Sequence, residues 1–227
     1  MISSPKNSLK VLKSIFGFSK YRDGQEYIVS TILGRTNILS VMPTGAGKSL
    51  CYQLPSIIFE NRTVVVSPLI ALMIDQITNL KSLGISADSI NSQNDRDINI
   101  NIWNNFKSGK IKILYISPER LTPNRFIESL KKIPVDLFVI DEAHCISKWG
   151  SDFRPEYAKL SRLYKDFPNS TITAFTATAD KATQKDIAHQ LFQNIGKIYV
   201  RGFDRPNLSL SVINKEKNWK VKLLNIL

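Results

Sequence analysis

Cysteine is scarce in this sequence, since only two of the 227 residues are cysteine. Cys51 and Cys145 stand far apart, and no Cys-x-x-Cys pair or cluster of histidine with cysteine accompanies them. Neither a disulfide framework nor a zinc site is therefore predicted. This usage fits a reducing, intracellular setting, either a cytoplasm with its nucleoid or a nucleus.

Long apolar runs are also missing. No stretch of 18 apolar residues occurs, so no membrane-spanning helix and no membrane partner is predicted. The first residues mix lysines with apolar residues but lack the continuous apolar stretch and cleavage site of a signal peptide. We expect an amphipathic helix packed on the domain there. Internal repeats and low-complexity tracts are absent from the sequence.

Acidic residues are outnumbered, because 19 Asp and Glu face 31 Lys and Arg, which leaves a net charge of +12. Such an excess favours a polyanionic partner, either nucleic acid or an anionic membrane surface. A lysine-rich surface that serves solubility is the alternative. The hydrophobic share of 43% and the charged share of 22% are ordinary for a globular domain with a packed core.

Short apolar segments alternate with longer segments of helical periodicity. The predicted strands are residues 37–42, 63–67, 111–117, 135–140, 171–176 and 197–201. The predicted helices are residues 48–60, 69–83, 95–108, 156–165 and 180–193. Most of these strands are rich in Val and Ile, and in several the apolar residues run without alternation, as in parallel strands buried on both faces. The predicted fold class is α/β, a mostly parallel sheet with helices on both faces, which binds ligands at the carboxyl ends of its strands.

The segment Met42-Pro-Thr-Gly-Ala-Gly-Lys-Ser49 follows a predicted strand and opens a predicted helix, the setting of a phosphate-binding loop. Gly45 and Gly47 let the backbone bend around an anion and turn its N–H groups inward. Lys48 can reach the β- and γ-phosphates, and the Ser49 hydroxyl can ligate Mg²⁺. The predicted nucleotide-binding residues of this loop are Thr44, Gly45, Ala46, Gly47, Lys48, Ser49 and Leu50.

Two adjacent acids, Asp141 and Glu142, follow the apolar strand 135–140. Asp141 can hold Mg²⁺, usually through water, while Glu142 can orient or deprotonate an attacking water molecule. An acidic cap for the next helix is the alternative. Together with the phosphate loop, the pair predicts Mg²⁺-dependent nucleotide hydrolysis. The predicted catalytic residues are Lys48, Asp141 and Glu142, and the predicted metal ligands are Ser49 and Asp141.

A resemblance to a known family begins with Phe16-Gly-Phe-Ser-Lys-Tyr-Arg-Asp-Gly-Gln25. This segment resembles the motif that precedes the phosphate loop in RecQ helicases of superfamily 2. The resemblance implies ATP as the nucleotide, with Phe18, Arg22 and Gln25 contacting its adenine. A glutamine amide can bond the adenine edge through a donor and an acceptor. A solvated surface glutamine is the alternative. The family often has Pro where Asp23 stands.

Two further segments, Ser67-Pro-Leu-Ile-Ala-Leu-Met-Ile-Asp-Gln76 and Ser117-Pro-Glu-Arg120, resemble motifs that face the DNA strand in that family. The resemblance implies phosphate contacts at Ser67 and Ser117, which hydroxyls and exposed N–H groups at helix starts suit. Simple helix capping is the alternative at both places. Phosphate loops of superfamily 2 often lack the first glycine, which accounts for Met42.

The segment from His144 to Tyr157 resembles the aromatic-rich loop that distinguishes RecQ helicases. In the family this loop senses single-stranded DNA and couples that contact to ATP hydrolysis. The implied DNA-binding or coupling residues here are His144, Trp149, Phe153 and Arg154. Aromatic rings can stack on unpaired bases. Burial of Trp149 and Phe153 in a core is the alternative.

The segment Phe175-Thr-Ala-Thr-Ala179 resembles the motif that links ATP state to unwinding. Hydroxyls of Thr176 and Thr178 stand at a strand end, where they can bond the segment 141–144. Ordinary helix capping is the alternative, with Asp180 the better candidate for the cap.

The resemblance implies a first RecA-like lobe over residues 1–207 and, over residues 208–227, the start of a connection to a second lobe. In the family that lobe carries an arginine finger, which stabilises the charge that develops on the γ-phosphate. This stabilisation is worth roughly 10³–10⁵ in rate in other nucleotide hydrolases. The implied function is the ATP-binding motor lobe of a 3′–5′ DNA helicase that translocates on single-stranded DNA and unwinds duplex DNA. Alone, this chain should hydrolyse ATP weakly and unwind nothing. A nucleotide-dependent binding module without turnover and an RNA helicase are the alternatives, and a metabolite kinase is less favoured.

Overall fold

Seven parallel strands form the centre of the fold in a computed structural model that describes residues 5–148 and 152–202. They are β1 (Ile38–Val41), β2 (Arg62–Val66), β3 (Ala87–Ile90), β4 (Ile113–Ile116), β5 (Val135–Ile140), β6 (Thr171–Thr176) and β7 (Lys197–Val200). Their order across the sheet is β3-β4-β2-β5-β6-β1-β7. The sequence predicts six of them. It does not predict β3, a four-residue edge strand with Asp88 in it.

Helices cover both faces of this sheet, so the predicted α/β class is confirmed. They are α1 (Pro5–Phe16), α2 (Gln25–Leu33), α3 (Lys48–Ile58), α4 (Ile70–Ser82), α5 (Arg96–Ser108), α6 (Pro118–Leu121), α7 (Asn124–Leu130), α8 (Pro155–Ala158), α9 (Arg162–Asp166) and α10 (Lys181–Phe192). The expected amphipathic N-terminal helix is α1, whose Leu12 is fully buried. Within the described ranges, no helix has both the length and the apolar character needed to cross a bilayer.

Alternate side chains of the central strands enter two different cores. Phe138 and Ile140 pack on one face of the sheet, while Leu137 and Val139 pack on the other. All four side chains are fully buried, and burial of each such side chain is worth about 1.5–3 kcal/mol. This two-sided burial keeps β5 rigid up to the residue at which the predicted acidic pair begins.

The helix predicted over residues 156–165 is wrong as a single helix. The structure has α8, then a 3-10 turn at Lys159–Ser161, then α9. Tyr157, Leu160 and Leu163 are all buried. Their spacing of three residues matches the period of a 3-10 helix, so the tighter turn brings all three to the core. Residues 208–227, the expected start of a connection to a second lobe, lie outside the described residues.

Candidate nucleotide-binding and catalytic site

The sheet order brings the predicted motifs to one edge, because parallel strands end on the same side. The phosphate loop follows β1, the acidic pair follows β5, and β6 lies between these two strands. The Met42 N–H donates to the Thr176 carbonyl over 3.0 Å, and the Asp141 N–H donates to the Val66 carbonyl over 2.9 Å. Backbone pairing therefore continues one residue past the strands and fixes where each motif begins.

The phosphate loop has the geometry of an anion cradle. Gly45 and Gly47 have φ values of +80° and +82°, a region that L side chains rarely adopt. A Cβ placed on Gly45 would meet nothing within 4 Å, so this side of the loop is open. Helix α3 begins at Lys48, whose Nζ donates to the Met42 carbonyl over 3.1 Å. An open loop, a helix N-terminus and an ammonium group together fit a polyphosphate.

Gln25 and Arg22 hold this loop from behind. The Gln25 amide nitrogen donates to the carbonyls of Ala46 (3.4 Å) and Gly47 (3.2 Å), and its oxygen accepts from the Arg22 N–H (2.8 Å). The Arg22 Nη1 donates to the Gly45 carbonyl over 3.0 Å. Gln25 is only 2% exposed, so the alternative of a solvated surface residue is wrong. Because both polar atoms of its amide bond the protein, a direct adenine contact requires these bonds to rearrange.

Gln25 and Arg22 together form a clamp behind the loop, and a cavity of ≈ 640 Å³ adjoins this clamp. This volume is within the usual range of small-molecule sites. Phe18, Arg22 and Gln25, the residues predicted to contact adenine, line the cavity together with Gly47 and Leu50 from the predicted phosphate loop. The Phe18 side chain is 50% exposed, which leaves a ring face free for stacking on a base.

Arg201 also lines this cavity, although the sequence predicts it only as the end of a strand. Its N–H donates to the Val41 carbonyl over 2.9 Å, and its Nε lies 3.7 Å from the Asp23 carboxylate. Asp23 stands where the resembling family often has Pro. That departure was the one available sequence signal for a partner at this position.

The two acids occupy different environments. Burial, followed by the charge of Glu142, raises the pKa of Asp141 to about 6, and the Lys48 ammonium and the Ser67 hydroxyl oppose the rise. Glu142 has φ +49°, which is strained for a non-glycine residue by about 1–3 kcal/mol. Its side chain makes no capping bond to the 3-10 helix Ala143–Ile146, so the capping alternative is wrong there. The Glu142 carboxylate instead lies 3.3 Å from His144 Nδ1.

The protein offers a divalent cation few ligands of its own. No group of three or more His, Cys, Asp or Glu that could hold a metal occurs in residues 5–148 and 152–202. The Ser49 hydroxyl and the Asp141 carboxylate both lie near the buried hydroxyl of Tyr52, whose pKa is raised chiefly by burial. One carboxylate and one hydroxyl suit Mg²⁺, which usually keeps several waters and binds substrate phosphates in such sites.

His144 joins the acidic pair to the end of β6. Its Nδ1 lies 2.9 Å from the Thr176 hydroxyl and 3.3 Å from the Glu142 carboxylate. The Thr176 hydroxyl donates to the Thr178 carbonyl over 2.9 Å. The predicted bond from Thr176 to the 141–144 segment is therefore present, whereas Thr178 takes part through its backbone. Asp180 caps α10 with its carboxylate, as expected.

The C-terminal part of the aromatic-rich loop is hydrogen-bonded to the segment that carries the acidic pair. Phe153 is half-buried and Arg154 is exposed, and the Arg154 N–H donates to the Cys145 carbonyl over 2.9 Å. The Tyr157 hydroxyl, which sequence reasoning missed, donates to the Asp141 carbonyl over 3.0 Å. Trp149 lies outside the described residues. Movement of the described part of the loop would therefore reach the backbone of residues 141–145 directly.

Ser67 and Ser117 lie at the carboxyl ends of β2 and β4 and are 1% and 2% exposed. No side-chain hydrogen bond caps α4, which starts after Leu69, and none from Ser117 caps α6. The capping alternative is therefore wrong for both hydroxyls. Contact with DNA stays a prediction at these positions.

Comparison with known proteins agrees with this geometry. A family model described as DEAD/DEAH box helicase matches residues 22–187. The chain is 46% identical over 211 residues to the ATP-dependent DNA helicase RecQ of Haemophilus influenzae, covering 92% of this chain and 34% of that protein. It is 44% identical to the RecQ helicase of Bacillus subtilis, covering 91% of this chain and 35% of that protein. The predicted resemblance to RecQ helicases is confirmed, and the chain spans about a third of the length of these relatives.

Solved structures support the fold. The helicase domain of Pyrococcus furiosus Hef aligns over 82% of this chain and 38% of its own with a TM-score of 0.64 at 20% identity. The DEAD-box helicase Mss116, solved with single-stranded RNA, aligns over 87% of this chain and 45% of its own with a TM-score of 0.67 at 20% identity. The RecA-like helicase fold predicted for the lobe is therefore confirmed.

Proposed function

We propose, from the premise that this chain belongs to the DEAD/DEAH box helicase family, that it is the ATP-binding motor lobe of a RecQ-type DNA helicase. The observation that carries the proposal is the convergence of the phosphate loop, the Asp141–Glu142 pair and the His144–Thr176 bond at one sheet edge. In the longer protein, a second lobe completes the site. That protein translocates 3′–5′ on single-stranded DNA and separates duplex DNA.

Each residue of the site has a distinct task in this proposal. The N–H groups of the loop and the Lys48 ammonium hold the β- and γ-phosphates. Ser49 and Asp141 hold Mg²⁺, which neutralises charge on the phosphate oxygens when bound. Glu142, in its strained conformation, orients the attacking water and accepts its proton. Phe18 and Arg201 enclose the adenine.

The loop and strand-end residues supply the link to nucleic acid. Phe153 and Arg154, with Trp149, contact unpaired bases and phosphates, and Ser67 and Ser117 contact the phosphate backbone. The net charge of +12 gives an affinity for DNA that falls steeply with salt. A reducing compartment, cytoplasmic or nuclear, suits the two cysteines, which are both free thiols and buried.

The test is ATP hydrolysis with and without single-stranded DNA, for this chain and for a version extended through the following lobe. We expect slow turnover from this chain and DNA-stimulated turnover from the extended version, because an arginine finger is worth roughly 10³–10⁵ in rate. Glu142→Gln in the extended version should remove turnover while leaving ATP binding intact. The matched control is Glu60→Gln, the same chemical change at an exposed residue that precedes β2, at the opposite edge of the sheet.

Three outcomes would contradict the proposal. Steady duplex unwinding by this chain alone would show that no second lobe is needed. Binding of ATP without turnover by the extended version would favour the binding module and would remove the catalytic roles of Asp141 and Glu142. Stimulation by RNA and not by DNA would favour an RNA helicase.

A further inference from the structure

A second cavity, also of ≈ 640 Å³, lies between α5 and the α6–α7 segment. Ile90, the last residue of β3, is part of its wall. Trp103 and Phe126 form an aromatic surface in it, with ring centroids 4.6 Å apart and planes tilted by 46°. Both rings are half-buried, so part of each face remains open to a ligand.

Three arginines, Arg96, Arg120 and Arg125, surround this cavity and are exposed. Five other described arginines use their guanidinium groups in hydrogen bonds or ion pairs within the protein: Arg22, Arg35, Arg62, Arg162 and Arg201. Arg96, Arg120 and Arg125 form no such bond with any other described residue. The single acid in the wall is Glu119. The cavity therefore concentrates unpaired positive charge around an aromatic surface.

The cavity is distinct from the ATP site. It lies at the carboxyl ends of β3 and β4, on the same sheet edge as the phosphate loop after β1. Four strand spacings separate β4 from β1 in the sheet order. At about 4.8 Å per spacing, the two places are roughly 19 Å apart. A ligand in this cavity would therefore bind apart from the ATP site. It would bind at the end of β4, where Ser117 also lies.

We propose that this cavity binds one nucleotide of a single-stranded nucleic acid, with the base on Trp103 and Phe126 and the flanking phosphates at Arg96, Arg120 and Arg125. Aromatic surfaces combined with guanidinium groups suit this ligand, because every base has a π-face and every linkage an anionic phosphate. An acidic peptide satisfies the charges but leaves the open aromatic faces without a planar partner. The proposed function identifies this single-stranded nucleic acid as the one along which the motor moves, and that point rests on the proposed function.

The experiment uses this chain, a fluorescent dT oligonucleotide and a non-hydrolysable ATP analogue. The test variant is Arg96→Gln with Arg125→Gln, and the control is Lys110→Gln with Lys165→Gln, which removes the same charge from exposed residues that precede β4 and β6. We expect the test variant to bind about tenfold more weakly than the control variant. The slope of log affinity against log salt should fall by about 1.4, since each phosphate contact to a single strand contributes about 0.7.

A second measurement locates the base. An oligonucleotide with 5-iododeoxyuridine should crosslink to Trp103 or Phe126, identified by mass spectrometry of the digested adduct. Trp103→Leu, which keeps an apolar side chain against the core, should weaken binding and leave the salt slope unchanged. Binding of the ATP analogue should be the same in all variants, which shows that they are folded.

The proposal is overturned if the test variant matches the control variant in affinity and salt slope, or if crosslinks map only to other parts of the chain. The proposal is also overturned if an acidic peptide binds in the cavity and the oligonucleotide does not displace it. If the unaltered chain binds the ATP analogue but no oligonucleotide, the DNA part of the proposed function fails as well. If the unaltered chain binds the oligonucleotide but the predicted losses of affinity and salt slope and the predicted crosslinks are not seen, only the cavity proposal is refuted.

Discussion

Replacement of Asp141 by Asn should stabilise the metal-free protein at pH 8. The pKa of this carboxyl is raised from 3.8 to about 6, mainly by burial and then by the charge of Glu142. One pKa unit corresponds to about 1.4 kcal/mol, so the charged carboxylate lowers the free energy of unfolding by roughly 3 kcal/mol. Asn keeps the oxygen that accepts the Glu142 N–H over 3.1 Å and removes the charge.

The sign of the pH dependence follows from the raised pKa. Below 3.8, Asp141 is protonated in both the folded and unfolded chains, so the variant and the parent are equally stable with respect to this group. Between pH 3.8 and about 6, the unfolded chain releases this proton while the buried carboxyl in the folded chain keeps it, so the parent loses stability over this range and no more above it. The advantage of the variant should therefore shrink from roughly 3 kcal/mol at pH 8 to about 1 kcal/mol at pH 4.5.

The assay is urea unfolding of both proteins in EDTA at these two pH values. The control is Asp180→Asn, because hydrogen bonds at the start of α10 lower the pKa of Asp180, and its neutralisation should not stabilise the protein at pH 8. An Asp141→Asn variant that is no more stable than the parent at pH 8, or equally shifted at both pH values, would refute the reasoning. The same variant should bind Mg·ATP more weakly, since the proposed metal ligand is lost.

Three further predictions concern the nucleotide site. Gly47→Ala should weaken ATP binding at least tenfold in a titration with a fluorescent ATP analogue, because its Cβ would lie 2.4 Å from the Gln25 amide nitrogen at φ +82°; unchanged affinity would contradict the clamp. Arg201→Gln should weaken ATP binding several-fold and leave tripolyphosphate binding unchanged, whereas equal losses would place Arg201 outside the base site. Thr176→Val removes the partner of His144 Nδ1, so in the extended protein it should lower DNA-stimulated hydrolysis more than ATP affinity, and an equal effect on both would count against a coupling role.

The strand-end motifs were predictable from the sequence because their chemistry is local. Residues 137–140 are all apolar, as strand residues buried on both faces are, and the two acids follow directly after them. The phosphate loop carries its own glycines and helix start. The fold class and the convergence of these motifs follow from the geometry of parallel strands.

The contacts that the sequence did not predict are made between distant segments. Arg201 reaches the cavity beside the phosphate loop because β7 pairs with β1, and the Tyr157 hydroxyl in α8 reaches the Asp141 carbonyl across 16 positions of the chain. Edge strand β3 contains Asp88 and lacks the apolar pattern of the central strands. Such contacts depend on strand order and side-chain packing, which hydrophobic periodicity does not determine.

The clamp behind the phosphate loop also fixes the direction of peptide dipoles. In a trans peptide the carbonyl and the following N–H point to opposite sides. Because the Gln25 amide holds the carbonyls of Ala46 and Gly47 on its own side of the loop, the N–H groups of Gly47 and Lys48 face the other way, the side on which we propose that the phosphates bind. A base that displaced the Gln25 amide would therefore relax the dipoles that attract the phosphates. Base contact and phosphate affinity are therefore coupled through Gln25, because the amide that a base would occupy is the group that orients the peptides of the loop.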